Sequence, residues 1–171
     1  MDRSREILQK LDGLGIPCSL FQHEPKWTIG DCLATPGLDP AIATMPKNVF
    51  LCNRRQTAFY LLLLSPGRAF RTAVISKLLG VSRLSFAPET LLPELLGLDK
   101  GAVSPLGLLF DRERQVRLVM DDSLLQYERL WFHPGINTKS VEISTQDFLR
   151  RFLPGIGRDC SLMTLPQDEG E

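Results

Sequence analysis

Apolar side chains first recur at helical spacing. Ile7, Leu8, Leu11 and Leu14 share one face of a helix that Ser4 is placed to cap, and Gly13 and Gly15 close it before Pro17. The pattern then lapses. Residues 22–46 carry Pro25, Pro36, Gly37, Pro40 and Pro46 with little periodicity, which predicts mostly loop with one short helix around Ile29 to Leu33. Loops this long are often functional.

Denser apolar runs follow. Asn48 to Cys52 and Thr57 to Leu64 read as two buried strands of a hairpin, joined by the polar turn Asn53 to Gln56. Arg71 to Leu79 sets Val74, Ile75, Leu78 and Leu79 at helical spacing, with Gly80 as the stop. Leu84 to Phe86 reads as a short strand. Leu91 to Leu98 reads as a helix whose first turn takes Pro93, a residue without an N–H to donate. Leu106 to Phe110 and Val116 to Met120 read as strands flanking the charged turn Asp111 to Gln115, and Leu130 to Phe132 as another. Ser144 and Asp147 are spaced to cap a last helix, with Phe148, Leu149 and Phe152 on its apolar face and an end near Pro154-Gly155. Beyond Gln167 the acidic tail is expected to fray.

Strand pairs interleaved with helices, without βαβα alternation, predict an α+β fold: a mixed, partly closed, barrel-like β-sheet surrounded by helices. A chain of 171 residues suits a single domain, residues 1–171. With 43% hydrophobic and 23% charged residues the composition is that of an ordinary globular protein.

Charge narrows the choice of partner. Lys plus Arg and Asp plus Glu each number 20, so no global positive field attracts nucleic acid, and any such contact needs a local patch. Cys18, Cys32, Cys52 and Cys160 form no C-x-x-C pair, which argues against a thiolate zinc site or a redox motif. The polar, amphipathic N-terminal stretch lacks the apolar core of a secretory signal. The apolar run Phe59 to Leu64 is too short to span a bilayer. A cytoplasmic protein without membrane contact is expected. The absence of G-x-G-x-x-G, Walker A, H-E-x-x-H and G-x-S-x-G patterns removes the dinucleotide, nucleoside triphosphate, zincin and α/β-hydrolase readings.

A few residues could carry chemistry. His133 stands in WFHPGINTKS, where Pro134 and Gly135 make a sharp turn; it either orients a substrate or water, or bonds a backbone carbonyl. His23, in a proline-flanked polar loop, reads as structural. Lys47 opens an apolar strand after Pro46 and either holds a phosphate or carbonyl oxygen or is a solvated surface lysine. Asn137 and Thr138 either line the same cleft as His133 or cap its turn. Gly101, Ala102, Val103, Ser104 and Pro105 form a short loop that either grips a small ligand by shape or only connects helix to strand.

Taken in order, LDGLGIP, KNVFL, SKLLGVSRLSF, GAVSPLGLL and FHPGINT resemble the YbaK-type editing domains. That family includes the insertion domain of bacterial prolyl-tRNA synthetases and the freestanding alanyl-tRNA(Pro) deacylases, which this chain resembles most. The likeness runs from Leu11 to Leu153. It implies a hydrolase that removes alanine from mischarged tRNA(Pro) without metal or cofactor. The implied roles are Lys47 holding the tRNA 3′ acceptor end, Gly101 to Pro105 shaping the amino-acid pocket, and His133 assisting positioning. It further implies that a water attacks, activated with help from the terminal ribose hydroxyl of the substrate. Partners implied are the mischarged tRNA and, transiently, prolyl-tRNA synthetase. The family's G-x-H-[ST] stretch before the lysine is replaced here by Ala43, Met45 and Pro46. Two other readings stand beside this one: a sister deacylase acting on cysteinyl- or seryl-tRNA, and a non-catalytic binding module of the same fold. If the 101–105 loop sets the pocket size, a bulkier residue at Gly101 should abolish alanine removal.

Overall fold

The computed structural model describes residues 2–167. The acidic tail expected to fray lies outside them. Helix α1 (Ser4–Gly13) buries Ile7 and Leu11 completely, as the spacing predicts. Its cap differs from expectation. Arg3 occupies the N-cap position, and the Ser4 amide donates to Asp2 Oδ1 at 2.8 Å, so Asp2 satisfies a first-turn N–H that a serine cap would have taken. Strand β1 (Cys18–Gln22) and helix α2 (Ile29–Leu33) follow, the latter capped by Thr28, whose Oγ1 accepts from Asp31 N at 3.1 Å.

Among the described residues nine strands form two mixed sheets, which bears out the α+β class, although the sheet surface is divided and left open. The first sheet runs β1, β8 (Lys139–Ser144), β7 (Arg129–Phe132), β2 (Ala43–Thr44). The second contains β3 (Lys47–Asn53), β4 (Phe59–Leu64), β5 (Leu84–Phe86), β6 (Val116–Asp121) and β9 (Ser161–Met163), in the order β5-β3-β4-β6-β9. Only Met45 and Pro46 separate β2 from β3, so the chain passes between the sheets at that corner, where a proline without an N–H costs no ladder bond.

The alternation along β4 explains why all six of its residues are buried. Phe59, Leu61 and Leu63 face a core shared with Phe50, Leu118, Leu130, Phe132, Ile143 and Phe148, between the two sheets. Tyr60, Leu62 and Leu64 face a second core with Val49, Leu51, Val119 and Ile75 of helix α3 (Thr72–Leu79). A central strand covered on both faces loses the apolar-polar alternation of a half-exposed one. A third cluster, Cys32, Ala43, Met45 and Trp131 with Phe21, Ile29, Leu33 and Leu38 around it, pins the long loop against the outside of the first sheet. Phe21 stacks on Trp131 at 4.4 Å, and the buried indole donates to Glu142 Oε2 at 2.6 Å.

One expected strand is absent. Residues Pro105–Phe110 form a 3-10 helix. Pro105 has no N–H to offer a ladder, and Ser104 Oγ accepts from Leu106 N at 3.2 Å, which starts a helical turn. Leu106 and Leu108 still reach the main core. Strand β6, left without the expected hairpin partner, pairs with β4 in parallel. The charged turn winds around the Asp111 carboxylate, which accepts from Gln115 N (3.0 Å), Val116 N (2.8 Å) and Arg158 (3.0 Å). The expected helix at 91–98 is a 3-10 turn, Glu89–Leu91, followed by α4 (Leu92–Leu96), which Gly97 ends at φ +64°. Ser144 Oγ accepts from Asp147 N at 3.1 Å and caps the last helix as expected. That helix runs from α5 (Thr145–Asp147) through a wide π segment, Phe148–Phe152, into α6 (Leu153–Gly155).

Candidate active site

A cavity of about 630 Å³ opens where the long loop, the corner between the sheets, the end of β5 and the 100–103 loop converge. Among its walls are Lys47, Gly101, Val103 and His133, four of the residues singled out in the sequence. Lys47 lies at the first position of β3, so the corner at Met45-Pro46 delivers it to the cavity rim. Its ammonium donates to the Arg68 carbonyl at 3.1 Å and sits 5.4 Å from the Phe70 ring. A lysine ammonium has three protons, so that contact leaves two for a ligand.

Beside it, Asn48 donates through Nδ2 to the Pro46 carbonyl at 3.3 Å, while its Oδ1 is buried with no hydrogen-bond partner. A buried acceptor without a protein partner at a cavity wall is costly to maintain, which marks it as a place for a donor of a bound molecule.

His133 is buried just past the end of β7, at the cavity wall, and bonds a backbone carbonyl, one of the two roles left open for it. Its Nδ1 lies 2.9 Å from the Lys139 carbonyl, and a carbonyl accepts only, so Nδ1 carries the proton and Nε2 holds a lone pair. Nε2 faces Cys32 Sγ at 3.8 Å in the cavity wall. Burial pushes the His133 pKa below the ordinary histidine value, against the weaker opposing effect of the Lys139 carbonyl, so the ring is neutral at pH 7. Burial likewise raises the Cys32 pKa and keeps its thiol protonated. His23 is held by Ser140 Oγ at 2.8 Å and the Glu24 carbonyl at 2.7 Å, a structural arrangement.

The 101–105 loop divides its labour. Gly101 (φ +85°) and Val103 reach the cavity. Ala102 and Ser104 are buried behind it, and Ser104 Oγ donates to the His133 carbonyl at 2.8 Å, tying this loop to the histidine strand. Pro105 opens the 3-10 helix. Asn137 and Thr138 act through their backbones: their carbonyls accept from Lys26 N (3.2 Å) and His23 N (2.9 Å) and so strap the long loop down. The Asn137 Nδ2 is buried without a partner.

Several cavity residues escaped the sequence reading. Cys32 belongs to it, as do Trp27 and Phe86, which are 69% and 67% exposed despite their size; Met45 and Pro46, noted in the sequence as the departure from the family's stretch, also line it. Charge also has a pattern that whole-chain totals hide. From Pro40 to Pro88 there are seven basic residues, Lys47, Arg54, Arg55, Arg68, Arg71, Lys77 and Arg83, and no acidic one. A running charge count would have found this segment, which supplies β3, β4, α3 and β5. Among the described residues, no His, Cys, Asp and Glu side chains gather in the threes that a metal ion needs. No helix among them is long and apolar enough to cross a membrane.

Two mixed sheets thus meet at a cavity that holds a strand-initial lysine, a neutral histidine and a glycine loop. The model of the aminoacyl-tRNA editing domain matches residues 23–151, and the chain belongs to that family. It is 32% identical over 149 residues to the prolyl-tRNA editing protein ProX of Acetoanaerobium sticklandii, covering 86% of this chain and 88% of that one. It is 30% identical over 158 residues to the prolyl-tRNA synthetase associated domain-containing protein 1 of Mus musculus, covering 90% and 91%. A solved structure described as a candidate trans-editing enzyme for prolyl-tRNA synthetase shares the fold, with a TM-score of 0.71 at 17% identity over 97% of this chain and 99% of that one.

Proposed function

We propose that this chain is a trans-editing deacylase that hydrolyses mischarged tRNA(Pro), with alanine as the amino acid removed, and that residues 1–171 act as one editing domain. The observation that carries the reading is the meeting of Lys47, Asn48 and His133 with the Gly101 loop around one cavity in a member of the editing family. A proline-sized synthetase pocket rejects a smaller side chain by only about 1–3 kcal/mol per missing methylene, so a second, smaller sieve is needed.

In the reaction, water adds to the ester carbonyl carbon, the bond to the ribose oxygen breaks, that oxygen takes a proton, and free amino acid leaves. The Lys47 ammonium sits where it can hold a phosphate of the acceptor end or the developing oxyanion. Asn48 Oδ1 accepts from the substrate ammonium or a ribose hydroxyl. The His133 Nε2 lone pair exchanges its weak contact with the Cys32 thiol at 3.8 Å for a water or hydroxyl donor, and the ring's orientation is fixed by the Lys139 carbonyl. No protein nucleophile is required, and the protonated Cys32 thiol is not one. Catalysis then comes from positioning and electrostatic stabilisation. The partner is the 3′ acceptor end of a mischarged tRNA, with transient contact to prolyl-tRNA synthetase, in the cytoplasm.

One observation favours a second specificity. Met45 and Pro46, which replace the family's G-x-H-[ST] stretch, line the cavity itself, so this chain's pocket differs where it meets substrate. A panel of alanyl-, cysteinyl-, seryl- and prolyl-tRNA(Pro) separates the cases. Rapid loss of alanine alone supports the first reading, loss of cysteine or serine the second, and no hydrolysis of any of them contradicts both.

A further inference from the structure

Trp27 and Phe86 are the least buried large apolar side chains of the described residues, and both stand at this cavity. Exposed aromatics normally move freely or find cover. These two are held in place instead.

Trp27 is fixed from both sides along the chain. Lys26 N donates to the Asn137 carbonyl at 3.2 Å, and Thr28 caps α2. The indole edge rests on Gly101: a Cβ built there would lie 2.6 Å from Trp27 Cζ3, so only glycine lets the ring sit so close. Phe86 ends the edge strand β5, and Ala87 N donates to the Phe50 carbonyl at 2.9 Å to continue the pairing. Its ring meets Phe70 edge-on at 6.1 Å, and the Lys47 ammonium lies 5.4 Å from that same Phe70 ring. Besides the two aromatics the cavity lining includes Lys26, Lys47 and Lys100 and a single acid, Glu89, already paired to Lys100 at 3.1 Å.

We propose that Trp27 and Phe86 are stacking platforms for the unpaired bases at the 3′ end of the tRNA, a role that rests on the deacylase reading above. Fixed aromatic faces interleaved with cations are what single-stranded nucleic acid requires, since bases stack while phosphates pair with lysine. An apolar peptide would use the rings but strand the lysines. Platforms held before binding also reduce the entropy lost on association.

The chain has two tryptophans, and Trp131 is fully buried, so quenching of the exposed indole reports on Trp27 alone. The probe is an RNA tetranucleotide ending in CCA, titrated by fluorescence, with an abasic tetranucleotide of the same phosphate count alongside. Binding to wild type should quench Trp27. Trp27→Ala and Phe86→Ala, followed by competition or calorimetry, should each weaken the tetranucleotide roughly 5- to 100-fold and leave the abasic chain unchanged. Trp27→Phe should stay close to wild type. Unchanged binding in both alanine variants, or equal losses with the abasic chain, overturns the proposal. So does a concentration-dependent dimer that Phe86→Ala dissolves, because the face would then serve another copy of the chain. Hydrolysis of aminoacyl-tRNA without tetranucleotide binding overturns the stacking role and spares the deacylase reading; binding without hydrolysis of any substrate does the reverse.

Discussion

Replacing Gly101 by alanine separates two ways in which its loop can act. At φ +85° an L side chain is strained, and the left-handed backbone alone costs about 1–2 kcal/mol. The new Cβ would meet Trp27 Cζ3 at 2.6 Å and Cε3 at 3.0 Å, with Asn137 Nδ2 at an ordinary 3.6 Å. The indole is held on Gly101 by that close approach and is otherwise 69% exposed, so a Cβ that ends the approach displaces the ring into solvent and adds little to the folding cost. Thermal melting should therefore fall by roughly 2–8 °C at about 2–4 °C per kcal/mol for a chain of this size. Binding should respond more. Displacing Trp27 removes one stacking face, so Gly101→Ala should raise KM for aminoacyl-tRNA about as much as Trp27→Ala does, and the double variant should be no worse than either single one. Additive KM losses would refute this coupling. A collapse of kcat with KM unchanged would also refute it, and would place the Cβ against the amino acid instead of the indole.

Lys47→Ala should cut kcat by roughly 10²–10³ if the ammonium serves the oxyanion, with melting nearly unchanged because the side chain is half-buried and makes one bond to Arg68. His133 has a lowered pKa, so its neutral form favours folding: stability and rate should be full above the ordinary value near 6.5 and fall as pH drops through the lower folded value. A pH profile of kcat/KM should place the acid limb below 6.5 and His133→Asn should remove it; a limb at or above 6.5 contradicts the assignment. Asp111→Ala removes the buried carboxylate that pairs with Arg158 and accepts from the Gln115 and Val116 amides, and should cost about 3–5 kcal/mol in urea denaturation. Leu63→Ala, in the strand buried on both faces, should cost about 2–5 kcal/mol by the same measurement.

The central hairpin, α2, α3 and the capped last helix were legible because their signals are local: apolar runs, periodicity and caps. What escaped depends on distant pairing or backbone detail. Strand β1 is mostly exposed and exists because β8 pairs with it across more than a hundred residues, a relation no local window contains. The Leu106 to Phe110 run is as apolar as a strand, but the Ser104-Pro105 start turns it into a 3-10 helix, so turn chemistry overrode the hydrophobic count.

The same division holds at the candidate site. Lys47, His133 and the Gly101 loop stood out by residue type and motif, whereas Trp27 looked like an ordinary loop residue until the backbone placed it on Gly101. Charge summed over the chain concealed the acid-free segment before Glu89, which sends Lys47 to the site, while the cavity's other lysines, Lys26 and Lys100, lie outside it.

The most direct test is single-turnover hydrolysis of alanyl-tRNA(Pro) with enzyme in excess, comparing wild type with Lys47→Ala. The structure predicts wild-type deacylation far above the spontaneous rate and its near-complete loss in the variant. Equal rates for the two proteins, or a wild-type rate no faster than spontaneous hydrolysis, would contradict the account.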